Sequence, residues 1–173
     1  MQKAYISAGS NLGNREANLE FALSCLAKGG TVSKISSCFE TEPVGFLDQP
    51  WFLNIAVELE TRLTPYELLS LCQKIETSGG RVRTFPNAPR TLDLDILLYG
   101  DAVINQADLV IPHPRLWERK FALEPLAQIA PDLLHPVLRK PIRSLLEACP
   151  DRSEVRTTPW IPEQGARIRP GFR

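Results

Sequence analysis

The segment Arg90-Thr91-Leu92-Asp93-Leu94-Asp95-Ile96-Leu97-Leu98 sets two carboxylates two residues apart in an apolar run. In a β-strand successive side chains point to opposite faces. Asp93 and Asp95 then share one face, and Leu92, Leu94, Ile96 and Leu98 share the other. At a rise of about 3.3 Å per residue the two acids stand about 6.6 Å apart along the strand. Carboxylates so spaced can converge on one Mg²⁺, or bridge two held about 3.5–4 Å apart. The spacing fits equally a solvent-facing strand with two hydrated acids, although aspartate is disfavoured in strands.

Basic residues flank this pair. Arg81, Arg83 and Arg90 precede it; His113, Arg115, Arg119 and Lys120 follow. A polyphosphate requires this chemistry, because metal neutralises some oxygens and guanidinium forks bind others. Taken one at a time, each arginine reads as an ordinary surface residue. His113 sits between Pro112 and Pro114 in a rigid turn, suited to a phosphate or simply to capping the turn. His135, beside Pro136, reads as structural. A third group is aromatic and polar. Phe52 and Asn54 share a strand face, and Phe121 is available as a second ring. Ring stacking plus an amide on the ring edge suits a flat heterocycle. Packing of Phe52 beneath a loop is the alternative.

The elements that must position these residues are legible as patterns. Ala4–Ala8 reads as a strand, with a turn-rich loop at Gly9-Ser10-Asn11-Leu12-Gly13-Asn14. Leu19, Ala22, Leu23 and Leu26 form a helical stripe that Gly29-Gly30 should end in a left-handed cap. Thr31–Phe39 reads as a strand. Phe52–Glu60 alternates as a half-buried strand, with Leu53, Ile55, Val57 and Leu59 inward. Thr64-Pro65-Tyr66-Glu67 is a capping box opening a helix that Gly79-Gly80 stops. Arg81–Arg90 is a loop, Leu92–Leu98 a strand, and Asp101–Ile104 a further short strand. Pro112–Arg115 is a turn, and helices cover Trp117–Ile129 and Pro141–Ala148. The expectation is an α+β fold, an antiparallel sheet with helices packed on it. Residues 1–149 form the domain, and 150–173 an irregular tail.

Composition narrows the function. The 173 residues suit one domain, and 43% hydrophobic with 23% charged residues is ordinary for a globular protein. A formal net charge of zero argues against a non-specific nucleic-acid binder. No apolar run reaches the roughly 20 residues that span a bilayer, and the N-terminus lacks a secretory layout, so the expected location is cytoplasmic. Cys25, Cys38, Cys72 and Cys149 contain no CxxC pair, which points to reduced thiols and not to zinc or disulfides. Neither GxxxxGK[ST] nor GxGxxG occurs.

Taken in order, the motifs resemble the 6-hydroxymethyl-7,8-dihydropterin pyrophosphokinase family. The matching stretches are Gly9-Ser10-Asn11-Leu12-Gly13, Thr41-Glu42-Pro43-Val44-Gly45 and Asp48-Gln49-Pro50-Trp51-Phe52-Leu53-Asn54. Gln73, Glu76 and Gly80-Arg81-Val82-Arg83 follow. The signature Pro89-Arg90-Thr91-Leu92-Asp93-Leu94-Asp95 comes next, then Pro112-His113, Arg119 and Phe121. The resemblance implies a ferredoxin-like fold, ATP as co-substrate, two Mg²⁺ ions and a reduced pterin alcohol. It implies Asp93 and Asp95 as metal ligands, acting in catalysis with Arg83 and Arg90. Gln73, Glu76, Arg81, Arg83, Arg90, His113 and Arg119 would serve ATP. Thr41, Val44, Phe52, Asn54, Asp93 and Phe121 would form the pterin side. Neighbouring folate enzymes are conceivable partners, with no nucleic acid and no membrane involved.

The chain departs from the family between Arg83 and Arg90. A longer basic stretch with tryptophan is common there. This chain has Thr84-Phe85-Pro86-Asn87-Ala88-Pro89. Phe85 is expected either to cover the substrates or to pack permanently on the domain. Two other classes fit the acidic pair or the fold: a DxD nucleotidyltransferase releasing pyrophosphate, and a ferredoxin-like module binding nucleotide or RNA.

Overall fold

A computed structural model describes residues 1–82 and 85–162. The sheet is antiparallel. β1 (Gln2–Ser10) pairs with β4 (Phe52–Thr61) on one side and β5 (Asp93–Tyr99) on the other. The far edge of β4 takes β2 (Gly30–Ile35) and then β3 (Phe39–Thr41). The single strand expected over Thr31–Phe39 is therefore two strands, broken at 36–38, where Ser36 turns its hydroxyl to the Ala56 amide at 2.9 Å. With α1 (Arg15–Leu26) and α2 (Pro65–Ser78) as the two crossovers, the order β5-β1-β4-β2/β3 is the split βαβ arrangement of ferredoxin-like folds. A small hairpin of β6 (Ile104–Asn105) and β7 (Val110–Ile111) follows β5, starting later than the strand expected at Asp101.

Helices cover both faces of the sheet. On one face α1 buries Leu19, Ala22, Leu23 and Leu26, and α2 buries Leu68, Cys72 and Ile75. They pack against Ile6, Leu53, Ile55, Val57 and Leu59. The capping box is present: the Thr64 side chain accepts from the Glu67 amide, and Glu67 reaches back to the Thr64 amide at 2.7 Å. On the other face α3 (Lys120–Ile129) and α4 (Ile142–Glu147) cover Tyr5, Ala56, Leu97 and Leu98. β4 is thus buried on both faces, not half-buried. Glu58 lies inside, held by Tyr5 Oη at 2.9 Å and Lys3 Nζ at 3.0 Å.

Several expectations need correction. α1 ends on Ala27 in right-handed geometry, not in a left-handed glycine cap. Gly30 is required for a different reason: a Cβ there would lie 2.3 Å from the Glu60 carbonyl oxygen across the β2–β4 pair. Gly9 and Ser10 belong to β1, so the first loop starts at Asn11. The helix expected from Trp117 is a 3-10 turn, Leu116–Glu118, then extended Arg119, then α3. Leu98 does not share a face with Leu94 and Ile96. The β1–β5 register slips between Tyr5 and Ile6, leaving Leu97 as an extra residue and turning Leu97 and Leu98 together to the α3 side. The stretch 150–173, expected to be irregular, contains β8 (Val155–Thr157) paired to the outer edge of β3. The β3–β8 pairing is long-range, and three residues are too few to show a period.

Candidate active site

Asp93, Gly9 and Asn54 lie side by side across three strands, because Gly9 pairs with Asp93 on one flank and Asn54 on the other. Asp93 and Asn54 of this row line a cavity of 230 Å³ at one end of the sheet, on the face that α3 covers, with Gly9 between them. A Cβ at Gly9 would stand 2.5 Å from Asn54 Oδ1. Glycine therefore leaves Asn54 in place and the floor flat. Thr41, Val44, Phe52, Asn54, Arg90, Asp93, Asp95, His113, Arg119 and Phe121 all line this cavity. Residues from five separated stretches of sequence meet here.

Each wall has a local cause. Asn54 is buried and donates to Thr41 Oγ1 at 2.6 Å, so β3 fixes the amide that β4 presents. The bulge at Leu97 aims its carbonyl at the His113 amide, 2.9 Å away, and this brings His113 beside Asp95. The break at Arg119 lets that residue reach Asp95 Oδ2 at 3.2 Å, with its guanidinium 5.7 Å over the Phe121 ring. Arg90 mirrors it, 3.1 Å from Asp93 Oδ2 and 5.7 Å over the Phe52 ring. Each aromatic ring thus faces an arginine, and each arginine faces an aspartate.

Arg81, Glu76 and Gln73 do not line the cavity. They border a separate cleft along α2. Arg81 still reaches Asp93 Oδ1 at 2.7 Å and also pairs with Glu76, whose Oε1 accepts the Leu94 amide at 2.8 Å. Arg83 lies outside the described residues. Glu42, Gly45, Asn87 and Arg115 also line the cavity; of these, the sequence marks Arg115 among the flanking basic residues and Glu42 and Gly45 only as part of a matching stretch, and gives Asn87 no role. Asn11 reads from the sequence only as part of the turn-rich Gly9–Asn14 loop and of the matching opening stretch. Asn11 is buried, its amide donating to Gln49 Oε1 and the Pro50 carbonyl, both at 2.8 Å, and its Oδ1 accepting the Arg90 amide at 2.8 Å. The residue type carries no signal for this, since its partners are distant in sequence. The loops so joined also meet edge-on at Phe46 and Phe85, centroids 5.4 Å apart.

Electrostatics separate the titratable groups. Burial pushes the Asp95 carboxyl up to about 6; the Asp93 charge adds to this, and Arg119 opposes it. Burial, then Arg119 and Arg115, pulls His113 down to about 4. His113 is therefore neutral near pH 7, and its 4.0 Å approach to Asp95 is not an ion pair. Its Nδ1 accepts the Arg115 amide at 3.1 Å, which leaves the proton on Nε2, on the side of Asp95 and Arg119. A neutral Nε2–H is a fixed donor for an anionic oxygen.

The donor set fits magnesium in one manner. No group of three His, Cys, Asp or Glu suited to a metal occurs among the described residues. Two carboxylates on one cavity wall remain, both already facing cations. Mg²⁺ is commonly held this way, by one or two carboxylates with substrate phosphates completing the shell.

An α+β sandwich with paired acids, arginines and aromatic rings around one cavity has the layout of a small enzyme domain. The family profile described as 7,8-dihydro-6-hydroxymethylpterin-pyrophosphokinase (HPPK) matches residues 5–131, and the chain belongs to that family. It is 52% identical over 128 residues to the 2-amino-4-hydroxy-6-hydroxymethyldihydropteridine pyrophosphokinase of Bacillus subtilis, covering 73% of this chain and 77% of that protein. It is 44% identical over 171 residues to the folic acid synthesis protein fol1 of Schizosaccharomyces pombe, covering 98% of this chain but 22% of that one. A crystal structure of Plasmodium falciparum HPPK-DHPS superposes with a TM-score of 0.70 at 18% identity, over 85% of this chain and 44% of that chain. That likeness supports the fold. Among the described residues no helix is long and apolar enough to cross a membrane.

Proposed function

We propose that the chain transfers pyrophosphate from ATP to the hydroxymethyl group of 6-hydroxymethyl-7,8-dihydropterin and releases AMP, a step in folate synthesis. The observation that carries this reading is the single cavity in which Asp93, Asp95, Arg90, His113 and Arg119 face Phe52, Asn54 and Phe121. A triphosphate needs the first group and a flat, hydrogen-bonding ring needs the second.

The pterin would lie between Phe52 and Phe121, its ring edge read by Asn54 and Thr41, with Val44 at the rim. Its hydroxymethyl oxygen would point at the aspartates and attack the β-phosphorus in line. Arg90 and Arg119 would leave their aspartates and turn to phosphate oxygens. His113 would donate from Nε2. Asp93 and Asp95 would hold magnesium, two ions by family resemblance; when bound, the metal lowers the pKa of the attacking hydroxyl and screens phosphate charge. Positioning and fixed charge then supply most of the rate. Relatives that carry the matching region within longer chains, named as a folic acid synthesis protein and as a folate synthesis bifunctional protein, make other folate enzymes the natural neighbours for its product.

The test is AMP formation. With ATP, Mg²⁺ and the reduced pterin alcohol, AMP should accumulate only when the pterin is present. Asp93→Ala and Asp95→Ala should each slow it at least about 100-fold, the scale of losing a key electrostatic group. Pterin-independent AMP release, or near-normal turnover in either folded variant, would contradict the assignment.

A further inference from the structure

We propose that Glu76 is a positioning residue: it fixes Asp93 for metal from outside the cavity, and does not itself touch nucleotide. The proposal rests on the pyrophosphokinase reading of the cavity and adds a part to it.

Among the described residues β5 is the edge of the sheet, paired to β1 on one side only. An edge strand leaves alternate backbone amides without a strand partner, and such an amide needs an acceptor. Leu94, between the two aspartates, donates its N–H at 2.8 Å to Glu76 Oε1 from α2. The same oxygen pairs with Arg81, whose Nη1 donates to Asp93 Oδ1 at 2.7 Å. One carboxylate therefore grips β5 twice. It fixes the backbone midway between the aspartates, and it fixes the guanidinium that orients the first of them. The Glu76 side chain is only 7% exposed and lines none of the substrate cavity, so its place is behind the metal-facing residues. Its charge has a second consequence. Arg81 sits between Glu76 and Asp93. With Glu76 ionised the guanidinium is shared, and Asp93 keeps charge for an incoming cation. Without that charge Arg81 would belong to Asp93 alone and compete with metal.

Groups that orient metal ligands from behind commonly contribute 10–100-fold in metal affinity. The measurement is ATP affinity by calorimetry, with no pterin present, once in EDTA and once in excess Mg²⁺. The wild-type chain should bind ATP more tightly with metal. Glu76→Ala should bind metal-free ATP as the wild type does but lose roughly tenfold or more of the gain from Mg²⁺. Glu76→Gln keeps an oxygen for the Leu94 amide and loses the charge. It should fold normally and show an intermediate gain, so the test survives if the alanine variant does not fold. An equal loss of affinity in EDTA and in Mg²⁺ would make Glu76 a direct nucleotide contact and overturn the proposal. A full magnesium gain in both variants, with only melting temperature lowered, would make it a plain edge cap and overturn it as well. A wild-type chain that gains nothing from Mg²⁺ would instead sink the underlying metal reading.

Discussion

Asn11 and Arg90 exchange two hydrogen bonds: the Asn11 amide donates to the Arg90 carbonyl at 3.1 Å, and the Arg90 amide donates to Asn11 Oδ1 at 2.8 Å. The pair ties the end of β1 to the entry of β5, and the Asn11 side chain ties both to the loop at Gln49 and Pro50. Asn11→Ala leaves several of these groups without a partner in a buried place. We expect a loss of about 1–3 kcal/mol for each group left unsatisfied, read by urea denaturation. Weaker ATP binding should accompany it, because Arg90 loses its anchor. Unchanged stability would mean that water replaces the amide and that the loops hold themselves.

Gly9→Ala tests the floor. The added Cβ falls 2.5 Å from Asn54 Oδ1, so Asn54 must move and release Thr41. Pterin affinity should drop by about 1–3 kcal/mol, taking the usual cost of overpacking as a guide, while ATP affinity holds. Titration with each ligand separately decides it. Equal losses for both ligands would point to general damage to the sheet.

The Asp95 carboxyl gives a pH dependence. Its folded pKa, about 6, is above the ordinary value of 3.8. A carboxyl raised in this way binds its proton more tightly when folded. The ligand-free protein therefore loses stability as pH rises through that window, and ionised Asp95 opposes folding near pH 7.5. Asp95→Asn should raise the melting temperature near pH 7.5 by about 2–4 °C, roughly 1 kcal/mol in a domain of this length, and do little near pH 4.5. Calorimetric scans in the two buffers check it. A lower melting temperature at the higher pH would show that the Arg119 contact outweighs burial.

Phe85 is 52% exposed and touches Phe46 edge-on, so it is not a core residue. Phe85→Ala should leave melting temperature nearly unchanged, as exposed substitutions do. It should slow turnover or shorten the life of the ternary complex, if the two aromatic rings close the cavity together and keep water from the phosphorus. Intact kinetics with a large fall in melting temperature would place Phe85 in a structural role.

Much of this architecture could be read from local pattern. The Leu53–Leu59 alternation, the α1 stripe and the Thr64–Glu67 box each depend on neighbours within a few residues. Asp93 and Asp95 were legible together for the same reason. What escaped depends on partners far along the chain. Glu58 looks exposed by alternation, yet α3 closes over that face. The bulge at Leu97 follows from the β1 register and cannot be seen in β5 alone. Glu76 resembles an ATP contact by its order in the chain, but its contacts to the Leu94 amide and to Arg81 join α2 to β5 and leave no mark in the local sequence.

The fate of the phosphorus atoms tests the proposed reaction most directly. Two parallel incubations with the reduced pterin alcohol and Mg²⁺ would use ATP labelled at the α-phosphate in one and at the γ-phosphate in the other. Pyrophosphoryl transfer sends the γ label onto the pterin and the α label into AMP, in equal amounts. The γ label on the pterin with the α label in ADP would mean single phosphoryl transfer. The α label on the pterin would mean nucleotidyl transfer. Either of the last two results would contradict the function proposed for this chain.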